Sequence, residues 1–91
     1  MTKKQLLKFA IERYGAESQT MMAFEEMAEL QKELSKSARG NHNRAQIAEE
    51  IADVRIMLDQ MEILHECAFL VHGYEKAKLK RLADRLGVEY A

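Results

Sequence analysis

Residues 25–30 read Glu-Glu-Met-Ala-Glu-Leu and residues 49–54 read Glu-Glu-Ile-Ala-Asp-Val. One pattern of two acids, an apolar residue, alanine, an acid and an apolar residue thus occurs twice, 24 positions apart. In a helix, residues three apart are surface neighbours, so Glu26 lies one turn from Glu29 and Glu50 one turn from Asp53. Each acidic pair immediately precedes an apolar pair, Met27/Leu30 or Ile51/Val54. Successive helical residues turn by about 100° around the axis, so the acids are expected on the flank of a buried stripe. Halfway between the two copies stand Arg39 and Gly40, with Ser37, Asn41 and Asn43 around them, residue types that favour turns and caps. The repeat therefore predicts an antiparallel helix hairpin folding near Gly40. A two-fold axis normal to the plane of such a pair carries a front flank onto a front flank at the same height. Four carboxylates, those of Glu26, Glu29, Glu50 and Asp53, are expected to converge.

The rest of the chain extends the helical reading. Thr2 followed by Gln5 has the form of a capping box, and Leu7, Ala10, Ile11 and Tyr14 keep helical spacing until Gly15 ends the segment. Ser18 is the expected cap of helix two, whose stripe of Met22/Ala23, Met27, Leu30 and Leu34 runs to about Lys36. Asn43 and Gln46 resemble a second capping box, and Ile47, Ile51, Val54, Leu58 and Met61 hold a heptad rhythm. Helix three is expected to reach about Val71, with a break at His72-Gly73. Leu79, Leu82 and Leu86 then stripe a fourth helix that ends at Gly87. The expected fold class is all-α, a helical bundle built around an antiparallel hairpin, with residues 1–91 as a single domain.

Size bears on how that bundle is completed. A chain of 91 residues buries only about 60% of the surface its unfolded form exposes, so oligomerisation, as a homodimer or homotetramer, is expected to complete it. Fourteen basic and fifteen acidic residues give a net charge of −1, too balanced a field to draw the protein to a nucleic acid polymer or a membrane surface. The lone Cys67 lies in the apolar run Cys67-Ala68-Phe69-Leu70-Val71, which excludes an internal disulfide framework and predicts a small buried side chain in a reducing compartment. Neither a signal peptide nor an apolar run of the ~20 residues that a membrane span needs is present. A cytoplasmic protein is expected.

Carboxylates gathered beside a core repel one another and need protons or cations. The ligand set here is all oxygen, with no His or Cys in either copy of the repeat, which favours Mg²⁺ or Mn²⁺ over Zn²⁺. Magnesium held by a few carboxylates commonly bridges to substrate phosphates, so phosphate chemistry is the leading class. Gln19, seven residues before Glu26 and two turns away on the same helix face, is a candidate for a hydrogen bond to a nucleobase or sugar, and equally for a surface residue near the helix start.

The arrangement Glu25-Glu26-x-x-Glu29, followed after 20 residues by Glu50-x-x-Asp53, resembles the EExxE…ExxD signature of the MazG-like all-α nucleoside triphosphate pyrophosphohydrolases. The similarity runs from about Tyr14-Gly15 through Gln19 to Lys78-x-x-Arg81-x-x-x-Arg85, most of the chain. It implies Mg²⁺-dependent hydrolysis of a nucleoside triphosphate, a deoxynucleotide or a non-standard one, to the monophosphate and pyrophosphate in a helical oligomer. It further implies Glu26, Glu29, Glu50 and Asp53 as metal ligands and Glu25, Glu26 and Glu50 as catalytic, Glu25 or a metal-bound carboxylate orienting the attacking water. Lys78, Arg81 and Arg85 would contact the nucleotide, with Leu82 standing where several family members carry Asn. The competing reading is a non-enzymatic helical oligomerisation or interaction module, in which the acids are a solvated helix face.

Overall fold

The computed structural model describes residues 1–91 as four helices with no strand: α1 (Lys3–Tyr14), α2 (Ala16–Ala38), α3 (Arg44–Leu64) and α4 (Ala68–Leu86). At the start of α1, Gln5 N–H donates to Thr2 Oγ1 at 3.1 Å and Thr2 N–H donates to Gln5 Oε1 at 2.8 Å, closing a reciprocal capping box. Gly15, at φ 93°, closes α1 through its N–H to the Ile11 carbonyl and opens α2 directly. That backbone angle suits glycine, which has no Cβ to clash, so α2 starts two residues before the Ser18 cap expected from sequence. After Ala38 the chain reverses through Gly40, at φ 95°, and Asn41 Nδ2 donates to the Lys36 carbonyl at 2.9 Å. One of the orphan carbonyls at the end of α2 is satisfied in this way.

Asn43 occupies the N-cap position of α3 but makes no capping-box bond. Its Nδ2 donates instead to the carbonyl of Glu33 on α2 at 2.8 Å, deep in the turn. The side chain thus ties the two helices together rather than closing its own. The far end of α3 also departs from the sequence expectation. The helix stops at Leu64, because Glu66 takes a left-handed backbone at φ 49° while Cys67 N–H reaches the Glu62 carbonyl and Glu66 N–H reaches that of Ile63. These two bonds are a Schellman ending with glutamate where glycine is usual. His72 and Gly73, expected to mark the break, lie inside α4, and Cys67 is its partly exposed N-cap. Gly87 ends α4 in the left-handed region, as its position predicts.

Helix α2 packs mainly against α3, α1 lies across both, and α4 touches only α3. Thr20 meets Met61 at one end of the α2/α3 seam and Glu33 meets Asn43 at the other, so the two helices run antiparallel. That seam is not purely apolar. Its buried residues are Gln19, Ala23 and Glu33 from α2 and Met57 and Gln60 from α3. Glu26 and Asp53 are half-buried on the same heptad lines. Ile51 is 37% exposed and Leu58 47% exposed, although both belong to the stripe read from sequence as core. Polar side chains thus share the seam with Met27, Leu30, Ile47, Val54 and Met61 of the expected stripe, which are half-buried as well.

Few apolar side chains are buried at all: Leu7, Ala23, Met57 and Ala83. The accessible surface is 7541 Å², against about 5,400 Å² for a folded monomer of this mass. The radius of gyration is 16.2 Å, against about 12 Å for a compact chain of this length. No helix is long and apolar enough to cross a membrane.

Candidate metal centre

The middle of the α2/α3 seam brings Glu26 from one helix against Glu50 and Asp53 from the other. One carboxylate oxygen from each lies within 4.8 Å of the other two. All three residues are half-buried, and Glu50 Oε2 is buried without a hydrogen-bond partner. The convergence follows from the repeat: residues at equal distance from the turn meet when the helices antiparallel-pack, and the i, i+3 spacing of Glu50 and Asp53 puts both on one face.

Burial raises the pKa of Glu26 above its ordinary value, and the charge of Asp53 and a shared hydrogen bond with it raise it further, followed by Glu50 and Glu25. Glu50 is raised first by burial, then by Asp53 and Glu29. These carboxyls disfavour their own charged state when nothing offsets it. Three oxygen donors on two helices, one oxygen orphaned, with no thiolate or imidazole among them, fit a hard divalent cation such as Mg²⁺ or Mn²⁺.

Glu29 stands outside this group of three; its side chain is exposed on α2, near enough for its charge to act on Glu50. Glu25 is likewise exposed, beside Glu26. Gln19 is 6% exposed in the seam. Lys78, Arg81 and Arg85 are exposed on α4, and neither of the chain's two salt bridges, Lys3–Asp59 and Lys36–Glu33, involves them. Beyond the turn-side end of the cluster, Glu33 takes Lys36 Nζ at 3.2 Å and Asn43 Nδ2 at 3.4 Å. The bond from Lys36 is the main reason its pKa falls below the usual value, against the opposing effect of burial. Glu33 is thereby a structural acid, separate from the cluster.

Sequence reasoning passed over Gln60, which is 4% exposed with its Oε1 buried and unpartnered. A signal for it was present. Gln60 follows Asp53 by seven residues as Gln19 precedes Glu26 by seven, so the symmetry that pairs the acids pairs the glutamines too.

No family model, curated protein or solved structure matches the chain.

Proposed function

We propose that the protein is a Mg²⁺-dependent nucleoside triphosphate pyrophosphohydrolase, acting on a deoxynucleotide or non-standard nucleotide in the cytoplasm. The observation that supports this reading is the meeting of Glu26, Glu50 and Asp53 from the two copies of one acidic repeat within 4.8 Å. Those residues would hold Mg²⁺, or Mn²⁺, with Glu29 one turn from Glu26 as the expected fourth carboxylate. A bound divalent cation supplies charge neutralisation and polarises phosphate oxygens.

The chain's own residues supply the remainder. Glu25, beside Glu26, is proposed to orient the water that attacks the α-phosphorus. The new P–O bond forms as the bond to the bridging α–β oxygen breaks, giving monophosphate and pyrophosphate. Glu26 and Glu50, whose pKa values are raised by burial and by neighbouring carboxylates, are the acids that a bound cation would keep ionised. Lys78, Arg81 and Arg85 are proposed to meet the phosphates, supplied from a neighbouring copy. In this reading the fold is a bundle around the α2–α3 hairpin that a homodimer or homotetramer completes.

One observation favours a different class. The exposed Phe69, Leu70, Tyr74, Leu82 and Leu86 on α4 suit a helical oligomerisation module with no catalysis. A panel of nucleoside triphosphates assayed with and without Mg²⁺ for monophosphate and pyrophosphate separates the two. Metal-dependent pyrophosphate release is expected, and its absence with every nucleotide would leave the interaction module.

A further inference from the structure

Helix α4 has almost nothing to pack on. Of its 19 residues only Ala83 is buried and the others are exposed. It touches α3 alone, and a free helix of that length is marginal in water. Its charge is the reverse of the hairpin's. Helices α2 and α3 each carry five acidic and two basic residues, whereas α4 carries five basic and two acidic ones. Helix α1, with four basic residues and one acidic, already lies across the acidic pair, held in part by Lys3–Asp59 at 2.6 Å. Neither salt bridge of the chain involves α4. At about 100° per residue, Val71, Leu79, Leu82 and Leu86 form one stripe of α4, bordered by Lys78 and Arg85 on one side and Lys76 on the other. The hairpin has an uncovered apolar face to match. Leu34 and Leu58 stand 24 positions apart, the spacing that relates the two acidic copies, so the two-fold that gathers the acids carries one onto the other and puts both on one face. They are 48% and 47% exposed.

We propose that α4 is an exchanged arm: it lies along the α2/α3 hairpin of a second copy, over the Leu34 and Leu58 face, while the α4 of that copy lies along this one. Charge selects this pairing. Two α4 helices face to face set net positive against net positive, two hairpins set negative against negative, and only arm on hairpin brings opposite signs together. Area selects it too. The chain exposes about 2,100 Å² more than a folded monomer of its mass. An α4 pair would cover α4 alone and leave the hairpin face in water, whereas exchange covers an arm and a hairpin face on each chain. At 1.5 Å per residue α4 is about 28 Å long, enough to run along most of the 21 residues of α3. The contact is isologous about one two-fold axis, so it closes at two chains. The arrangement stands on packing and charge and does not require the hydrolysis proposed above.

Cross-linking of the full-length chain, in a Cys67→Ala background, tests the exchange. A tagged protein carrying Leu82→Cys is mixed with an untagged one carrying Leu58→Cys, left until subunits redistribute, and treated with a bis-maleimide. The mixed covalent dimer is expected, in excess of the one that the Leu82→Cys protein forms with itself. Product from the Leu82→Cys protein alone, or no intermolecular product, overturns the proposal. Should a cysteine variant lose helicity, sedimentation equilibrium of two charge variants carries the test. Glu75 is the acid within the α4 stripe, so Glu75→Gln removes a repulsion from the acidic hairpin and is expected to tighten the dimer about 2- to 5-fold, while Lys76→Glu weakens it by a similar factor. Both effects should shrink as salt rises. A dimer that Glu75→Gln loosens or leaves unchanged, or that Lys76→Glu leaves unchanged, overturns the exchange. A wild type that stays monomeric overturns it as well, and its cosedimentation with phosphatidylserine vesicles would assign the basic helix to a lipid surface instead.

Discussion

Glu26 and Glu50 both have pKa values raised by burial first and then by Asp53. A carboxyl whose native pKa lies above its unfolded value of about 4.3 binds its proton more tightly when folded. Its charged form therefore opposes folding at neutral pH, and that penalty fades as pH falls through the native pKa. Glu33 behaves oppositely: its lowered pKa contributes stability above the unfolded value that is lost as pH falls through the native one. The metal-free protein is expected to gain Tm as pH drops from 7 into the weakly acidic range, then to lose it in stronger acid. Mg²⁺ should raise Tm at pH 7 and flatten the first limb, because it takes the place of the protons. Scanning calorimetry at stepped pH, with EDTA and with Mg²⁺, measures both; a Tm that falls steadily from pH 7 and ignores Mg²⁺ would contradict a metal centre. Glu50→Gln removes one of the repelling charges, so metal-free Tm should hold or rise with circular dichroism unchanged, while the Mg²⁺ shift and nucleotide hydrolysis are lost. The meeting of Glu26, Glu50 and Asp53 was legible because a duplicated motif carries its own two-fold relation. Asn43 was read as a helix cap and not as the side chain that bonds Glu33 across the turn, and Gln60 was not picked out, since the apolar letters beside it dominate any search for a buried stripe.

Helix ends show what local sequence can and cannot announce. Gly15, Gly40 and Gly87 take positive φ where the sequence places a stop, but the corner between α3 and α4 uses Glu66 at φ 49°, and nothing in the residue type signals it. A left-handed non-glycine residue costs roughly 1–2 kcal/mol, part of which glycine's greater unfolded-state freedom takes back. Glu66→Gly is therefore expected to stabilise the protein by up to about 1 kcal/mol, read from denaturant midpoints at constant m-value. Gly73, the sequence's apparent break, is helical, and a Cβ added there meets nothing within 4 Å. Gly73→Ala should add about 0.5–1 kcal/mol through helix propensity. A loss of stability on Gly73→Ala would place that face of α4 against another surface. The all-α class itself was readable from spacing alone, whereas the division of the second half into α3 and α4 depended on backbone hydrogen bonds to Glu62 and Ile63 that no side chain advertises.

At the scale of the whole molecule, one chain leaves its apolar surface unaccounted for. Only four apolar residues are buried, and two of them are alanines. The excess of surface over a compact monomer is about 2,100 Å², and two chains burying that much each reach the size of an obligate homodimer interface. Uncovered apolar residues occur on all four helices, among them Phe9 on α1, Phe24 and Leu34 on α2, Ile51 and Leu58 on α3, and Phe69 at 88% exposure on α4. Sedimentation equilibrium should therefore find a dimer or tetramer at micromolar concentration, with a Tm that rises with protein concentration as mass action requires. Leu82→Asp puts a charge on the exposed stripe of α4 and touches no residue of the acidic cluster. It is expected to shift the assembly toward monomer, and helicity should fall with it, because the separated chain has too little core to hold four helices. A wild-type monomer that melts cooperatively, independent of concentration, would show that the four-helix chain is stable with its apolar faces in water, and it would overturn the proposal that Lys78, Arg81 and Arg85 act from a neighbouring copy.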